Sequence, residues 1–324
     1  GEPCVLLQLN VRLVSGALVE VHTEQVSELV RQREQQWRMA QDGGPVREDD
    51  LFNGEVFDGW LRAQLTGWDS PTFPIAMRDR YFAAAVRTPA RTPLAAAELS
   101  SALMPPTVTS APVDAVTTHA IGGDAFVLDF GTNGAGWSRL VLSGNVPPNA
   151  TITLTHTELL LPDKSDVYTQ YVCTVPKRVC VRQSDTYRTA GGPDGEAYEP
   201  RFTWHGFRYV RVDGCPVVGT GASAGGVVGR GSAWRCVVYA IRVGTALPRD
   251  AHVRFGSLTT KRLRNMAKDG TRTDDAGLLN TVFEVVDRTM RSNNIGFQTS
   301  CPQREKVAWT GDTLATAPTT LALY

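Results

Sequence analysis

The sequence predicts a multidomain protein in which antiparallel β-sandwich domains come first and helices follow. Apolar and polar residues alternate near the start of the chain and again at residues 151–158, which is the period of half-buried strands. After about residue 257 the apolar residues recur every three or four positions, which is the period of a helix. Strands in one part of a chain and helices in another indicate separate β and α domains rather than an interleaved α/β fold.

The first predicted domain, residues 1–90, is a partial β-sandwich. Alternation over residues 7–13 predicts a strand, and Ser15 and Gly16 supply a tight turn into a second strand at 17–22. Because the chain opens directly on this hairpin, we expect the sandwich to lack its earlier strands. Residues 91–115 are rich in proline and alanine and predict an interdomain linker.

The second predicted domain, residues 116–250, is a β-sandwich. In its strand at 151–158, threonines occupy one face, and the other face carries Ile152, Leu154, His156 and Glu158. His156 and Glu158 therefore share a face with core residues, either as a polar pair at the strand end or as part of a surface that meets another domain.

The third predicted domain, residues 257–324, is helical. Asp274 or Asp275 is available as the N-cap of its first helix, and leucines after residue 313 indicate a second helix. The apolar face predicted for the first helix consists of Leu278, Val282, Val285, Val286 and Met290.

Composition excludes several kinds of partner. Lys and Arg together number 33, as do Asp and Glu, so the net charge is zero and nothing favours nucleic acid or an anionic membrane. No apolar run approaches the roughly 20 residues that span a bilayer. The six cysteines lack the Cys-x-x-Cys spacing of a zinc or redox site, and we expect no metal and no cofactor. We expect these cysteines to be free buried thiols, with a small disulfide loop between Cys173 and Cys180 as the alternative.

The segment 300–312, SCPQREKVAWTGD, concentrates residues that could carry chemistry. It holds two carboxylates, Glu305 and Asp312, together with Arg304 and Trp309. Glycosidases need two carboxyl groups and often an aromatic face against the sugar ring. The alternative interpretation is a solvated, charged connection between two helices.

This segment resembles the signature of the bacterial α-L-rhamnosidases, and three further stretches match the same family in the same order. These stretches are GEVFD at 54–58 followed by GWDSP at 67–71, DFGTNGAGW at 129–137, and YEPRFTWHGFRYV at 198–210. Four ordered matches are far more specific than any one of them. Within the last stretch, the aromatic residues at 202–209 could form a carbohydrate platform or a buried sandwich corner, and His205 would tie down a turn or a domain interface.

The resemblance implies a role for each residue of the segment. Glu305 matches the general acid that protonates the leaving oxygen, and Asp312 matches an aspartate that contacts sugar hydroxyls. Trp309 would form a wall of the pocket, unless it is a core tryptophan that holds the loop. Ser300 stands where the family usually carries a sugar-binding aspartate, and Arg304 is the cation beside the acid. The expected substrate-binding residues are thus Ser300, Arg304, Trp309 and Asp312.

The resemblance also implies a helical fold, the α/α toroid of six hairpins. In the family, the second catalytic glutamate comes from a late hairpin of this toroid. Twelve helices with their loops need roughly 200 residues or more. Residues 257–324 provide only the first helices, and no glutamate follows Glu305. We therefore expect an incomplete toroid, a chain that lacks the general base, and no hydrolysis by this chain alone.

Two functions remain as hypotheses. The favoured one is a fragment of an α-L-rhamnosidase-like glycoside hydrolase, which removes terminal α-L-rhamnose from a rhamnose-containing glycoside or oligosaccharide with inversion. The alternative is a non-catalytic carbohydrate-binding or scaffold protein derived from the same family, which Ser300 and the missing base favour. An unrelated β-sandwich adhesion module would not explain the helical tail with its acid motif.

Overall fold

The computed structural model describes residues 8–22, 38–40, 44–84, 106–173, 180–216, 218–219, 227–228, 232–245 and 273–323. The chain divides into two compact units, one of Gly1–Gly44 with Leu65–Ser101 and one of Pro45–Gln64 with Ala102–Tyr324. Cys4, residues 91–105 of the predicted linker and residues 257–272 of the predicted helical domain lie outside the described residues.

Strands dominate the described chain up to Thr245, and helices follow, so the predicted order of β and then α structure is confirmed. The helices are α1 Gly59–Gln64, α2 Ile75–Tyr81, α3 Thr273–Ser292 and α4 Thr310–Leu323, with a 3-10 turn at Gln170–Val172. The strands are β1 Gln8–Arg12, β2 Leu18–His22, β3 Arg38–Ala40, β4 Val46–Asp50, β5 Gly54–Asp58, β6 Phe82–Ala84, β7 Thr107–Thr109, β8 Thr117–Gly122, β9 Ala125–Gly144, β10 Thr151–Thr157, β11 Leu159–Leu160, β12 Val167–Tyr168, β13 Ser184–Arg188, β14 Glu196–Tyr198, β15 His205–Asp213, β16 Val218–Gly219, β17 Val227–Val228 and β18 Trp234–Thr245.

The first unit contains the predicted hairpin. Strands β1 and β2 pair antiparallel across the turn at Ser15 and Gly16, which confirms that prediction. Strands β3 and β6 form a second antiparallel pair. In the same unit Trp68 is 60% exposed and stacks on Phe82 with ring centroids 5.8 Å apart.

One large sheet organises the second unit. Its hydrogen-bonded order is β17-β16-β18-β9-β15-β10-β13-β5-β4, with β8 and β14 also paired to β9 and β7 paired to β18. The pairs β13–β5 and β16–β18 are parallel, and the others are antiparallel. Strand β10 confirms the strand predicted at 151–158, and Ile152, Leu154 and His156 of its predicted core face are fully buried.

The sheet includes strands from segments that the sequence predicts to be the first domain and the linker. Strands β4 and β5 fall within the predicted first domain, yet β5 pairs with β13 of the large sheet. Strand β7 falls within the predicted linker, yet it pairs with β18. The predicted domain boundaries themselves remain a prediction.

The expectation of free thiols is wrong for four cysteines. Cys215 is bonded to Cys236 and Cys173 to Cys180, whereas Cys301 is free. The spacing of Cys215 and Cys236 along the chain could not indicate their disulfide, because strand pairing brings together these two residues from 21 positions apart.

The two helices predicted after residue 257 are present, with two corrections. Helix α3 begins at Thr273, so Asp274 and Asp275 lie in its first turn and neither is the N-cap. Met290 is buried as predicted, but Val282 and Val285 are about half exposed, because α3 meets the sheet through its C-terminal end. The side chain of Leu278 is outside the described part of the chain. None of the described helices is long and apolar enough to cross a membrane.

Candidate active site

The segment 300–309 forms the second part of the loop between α3 and α4, and backbone hydrogen bonds fold it back on itself. The Ser300 amide donates to the Val307 carbonyl at 3.2 Å, and the Lys306 amide donates to the Cys301 carbonyl at 3.2 Å. Pro302 is buried, and Lys306 has the left-handed φ of 51° that few residues other than glycine adopt. The loop is therefore a defined turn rather than an open, solvated connection between helices.

All five residues predicted for the site lie around one concavity of about 460 Å³. Its lining consists of Ser300, Cys301, Arg304, Glu305, Trp309 and Asp312. The structure thus brings the predicted acid and the predicted substrate-binding residues together on one surface.

Glu305 is held in this concavity by hydrogen bonds to one of its two carboxylate oxygens. The Trp309 indole nitrogen donates to Oε2 at 2.7 Å, and the Ser300 hydroxyl donates to the same oxygen at 3.4 Å. Arg304 Nη2 lies 3.9 Å from Oε1, with both side chains 42% exposed. A carboxylate with one oxygen bonded to an indole keeps a fixed plane and leaves the other oxygen available to a ligand.

Trp309 belongs to the pocket wall rather than to the core, because its side chain is 52% exposed. Asp312 lies in the first turn of α4, and among the described residues its carboxylate has no hydrogen-bond partner. A half-exposed indole and an exposed carboxylate on one concave surface are suited to a sugar, which offers an apolar ring face and several hydroxyls.

Lys306, for which the sequence predicts no role, anchors the loop to the large sheet. Its side chain is 2% exposed, and its ammonium donates hydrogen bonds to the carbonyls of Leu51 and Trp204. It also lies 5.3 Å from the centroid of the Trp204 ring. Burial lowers the pKa of Lys306 to about 8, although the charge of the buried Asp185 opposes this shift.

A second close contact joins the loop to strand β15. A methyl group added to Gly206 would come within 2.9 Å of the Gln303 amide nitrogen and within 3.0 Å of the Pro302 ring. Real side chains essentially never approach so closely, so the loop packs directly on the backbone of β15.

A buried polar cluster lies in the sheet beside this contact. His205 Nε2 donates to the Asp185 carboxylate at 3.0–3.1 Å, and the Glu55 amide donates to Asp185 Oδ1 at 3.0 Å. Burial alone would raise the pKa of Asp185, but His205 and the other donors lower it below its usual value. His205 therefore ties the sheet together where the motif loop meets it, which agrees with the interface role considered from the sequence.

His156 extends this cluster as a neutral imidazole. Its Nδ1 donates to the Gln183 carbonyl at 3.1 Å, so its Nε2 accepts from the Ser138 hydroxyl at 2.9 Å. Burial, together with the neighbouring His205, lowers the pKa of His156 to about 3.

The donor atoms of His156, Asp185 and His205 lie within 4.8 Å of one another, but their geometry does not suit a metal ion. The two imidazoles are stacked, with centroids 4.2 Å apart and planes 17° from parallel. The lone pairs of parallel rings do not converge on one ion, and both nitrogens of His156 already have partners. The trio is thus a hydrogen-bonded part of the core.

The residues that support the loop are not predictable from the sequence. Glu55, His205 and Lys306 lie within the recognised motifs, but nothing in the chain marks Asp185 as the partner of Glu55 and His205, or the carbonyls of Leu51 and Trp204 as the partners of Lys306. The aromatic residues at 202–209 differ in their solvent exposure, because Phe207 is fully buried whereas Phe202 is 61% exposed. The buried-corner interpretation is therefore right for one of these residues and wrong for the other.

Two family models match this chain. The bacterial α-L-rhamnosidase concanavalin-like domain matches residues 119–228, and the bacterial α-L-rhamnosidase 6 hairpin glycosidase domain matches residues 268–324. An α-L-rhamnosidase of Streptomyces avermitilis is 30% identical over 98% of this chain, which spans 25% of that protein. An α-L-rhamnosidase of Alteromonas sp. (strain LOR) is 25% identical over 85% of this chain, with 24% of that protein covered.

Solved structures give the same result. The structure of Streptomyces avermitilis α-L-rhamnosidase complexed with L-rhamnose matches 97% of this chain and 24% of its own, with 27% identity and a TM-score of 0.64. The α-L-rhamnosidase from Dictyoglumus thermophilum shares the fold, with a TM-score of 0.64 and 22% identity over 98% of this chain and 29% of its own. This chain spans about a quarter of the length of these curated relatives. The matches to a β domain and a hairpin glycosidase domain, in the order in which the structure places sheet and helices, show that the chain belongs to the bacterial α-L-rhamnosidase family.

Proposed function

We propose that this chain supplies the acid-bearing part of an α-L-rhamnosidase site. The complete site removes terminal α-L-rhamnose from a glycoside or oligosaccharide with inversion. The observation that carries the proposal is the position of Glu305, whose carboxylate lies in a concavity with every other predicted site residue. Family membership and the relative crystallised with L-rhamnose support the choice of sugar.

In this proposal each group has a different task. Glu305 protonates the leaving oxygen through Oε1, because Oε2 is occupied by the Trp309 indole. Trp309 faces the apolar side of the sugar ring, and Asp312 accepts hydrogen bonds from sugar hydroxyls. An inverting enzyme also needs a second carboxylate, about 6.5–9.5 Å from the acid, to activate water. We do not assign that base to Asp312, which matches the sugar-contacting aspartate of the family motif.

The test is release of L-rhamnose by a protein that carries this chain, with two substrates that differ in their leaving group. An alkyl rhamnoside needs its leaving oxygen protonated, whereas a nitrophenyl rhamnoside needs little help. Glu305→Gln should lower the rate at least about 100-fold on the alkyl substrate and much less on the nitrophenyl one. Glu284→Gln, which changes an exposed glutamate on α3, is the matched control and should keep the wild-type rate on both. Equal rates for wild type and Glu305→Gln on the alkyl substrate would contradict the assignment.

The second candidate is a non-catalytic rhamnose-binding protein, which the presence of Ser300 in place of the usual aspartate favours. Calorimetric titration with L-rhamnose separates the two functions. Binding that depends on Trp309 and Asp312, without release of rhamnose from either substrate, would support the binding protein.

A further inference from the structure

We propose that Lys306 is the positioning residue of the acid: its buried ammonium fixes the Glu305 loop to the large sheet, so that the β domain sets the place of the catalytic carboxylate. The catalytic part of this inference rests on the proposed role of Glu305. The structural part, that Lys306 determines the order of the loop, stands independently of it.

The contacts of Lys306 join three segments that are far apart in sequence. Leu51, whose carbonyl accepts one hydrogen bond, lies in the turn between β4 and β5, and Trp204, whose carbonyl accepts the other, directly precedes β15. These acceptors are 255 and 102 positions from Lys306. The Thr203 hydroxyl also donates to the Leu51 carbonyl, at 3.2 Å, so the two sheet segments are tied to each other as well.

The conformation of Lys306 shows that the loop is held by its surroundings. A non-glycine residue in the left-handed region is strained, and it persists only where other contacts determine it. An ammonium that is almost fully buried costs further free energy unless its protons are bonded. Both costs are offset here by the two carbonyls and by the Trp204 ring, which together select this one placement of the loop.

Within the described parts of the chain, Glu305 has no comparable anchor of its own. Its hydrogen bonds are made to residues of the same loop, namely the Ser300 hydroxyl, the Trp309 indole and, through its amide, the Cys301 sulfur at 3.3 Å. These bonds shape the loop but do not place it on the sheet. The side chain of the next residue, Lys306, places the loop on the sheet, together with the packing of Gln303 on Gly206.

The first test is hydrogen–deuterium exchange of the full chain, which needs no activity. In Lys306→Met, the amides of Ser300, Lys306 and Trp309 should exchange at least about tenfold faster, while β9 and β15 keep their protection. Lys306→Arg keeps a buried cation with several donors and should retain much of the protection. Lys164→Met is the matched control, because Lys164 also has a left-handed φ, of 59°, but is exposed. Wild-type exchange of these three amides in Lys306→Met would overturn the inference.

The second test is steady-state hydrolysis of an alkyl α-L-rhamnoside by a protein that carries this chain. A misplaced acid should lower kcat by at least about tenfold with KM changed less than about twofold, and Lys306→Arg should restore part of kcat. A kcat in Lys306→Met equal to that of the wild type would overturn the positioning role and leave the role of Glu305 intact. If the wild type releases no rhamnose, the proposed function fails, and exchange alone decides whether Lys306 orders the loop. If Lys306→Met does not fold, Lys306→Gln, which keeps one donor group, is tested against the same outcomes.

Discussion

At the scale of single residues, the site depends on how one carboxylate is oriented. The Trp309 indole and the Ser300 hydroxyl both donate to Glu305 Oε2, so the two oxygens of this carboxylate are not equivalent. Ser300 thereby has a partner that the sequence could not indicate. It stands where the family usually carries a sugar-binding aspartate, and here its hydroxyl is directed at the acid. A hydroxyl at this place donates a hydrogen bond to Glu305, whereas the aspartate usual in the family would put a second negative charge beside it.

Replacement of Trp309 by phenylalanine separates its two tasks. Phe keeps an aromatic face for the sugar but removes the indole donor that lies 2.7 Å from Glu305. We expect kcat to fall about tenfold or more, because a hydrogen bond to a charged group is lost, while the affinity for L-rhamnose changes little. Trp137→Phe is a matched control, since Trp137 donates a similar bond to Glu199 at 3.1 Å outside the concavity. A wild-type kcat in Trp309→Phe would show that the indole does not orient the acid.

At the scale of elements, the packing of the α3–α4 loop on β15 places the site. Gly206 allows the backbone of β15 to approach Gln303 and Pro302 without an intervening side chain. Its φ does not lie in the left-handed region, so the requirement for glycine comes from lack of space rather than from backbone conformation.

Gly206→Ala tests this packing. The new methyl group would lie 2.9 Å from backbone and side-chain atoms of Gln303, so the loop has to move away from the sheet. We expect a loss of about 1–3 kcal/mol in the free energy of unfolding, as in other overpacked sites, together with faster exchange of the loop amides. Gly44→Ala, where an added methyl group meets nothing within 4 Å, should change neither quantity. Unchanged exchange of the loop in Gly206→Ala would mean that the loop does not depend on this contact.

The period of the apolar residues was enough to predict the first hairpin, strand β10 and the two C-terminal helices, because these depend on local sequence. The motif 300–312 was enough to predict which side chains share a concavity, because they lie on one short loop and in the first turn of the helix that follows it. The partners of that loop were not predictable, since Lys306 reaches carbonyls 255 and 102 positions away and a carbonyl has no signature in the sequence. For the same reason, the pairing of β5 with β13 could not be read from either strand.

At the scale of the whole molecule, the second unit combines the large sheet with helices α3 and α4 in one contact network. Thr245, at the end of β18, donates to the Asn294 carbonyl from its amide at 2.7 Å and from its hydroxyl at 2.8 Å, and it accepts from the Gly296 amide at 3.1 Å. The long strand β18 is thus bonded to the chain just after α3, while β15 contacts the motif loop. A perturbation of the sheet at these two strands should therefore reach the site.

The disulfide between Cys215 and Cys236 allows a test of whether a perturbation of β15 and β18 reaches the site. It joins the end of β15 to β18, and it closes a loop of 21 residues, whereas Cys173–Cys180 closes one of 7. From the entropy of loop closure, we expect the double replacement Cys215→Ala/Cys236→Ala to lower the free energy of unfolding by about 3 kcal/mol, and Cys173→Ala/Cys180→Ala by about 2 kcal/mol. Denaturant unfolding of the two variants measures these losses. Because β15 and β18 both contact the helical part, only the first variant should also speed exchange of amides 300–309. An equal effect of both variants on those amides would argue against transmission through β15 and β18.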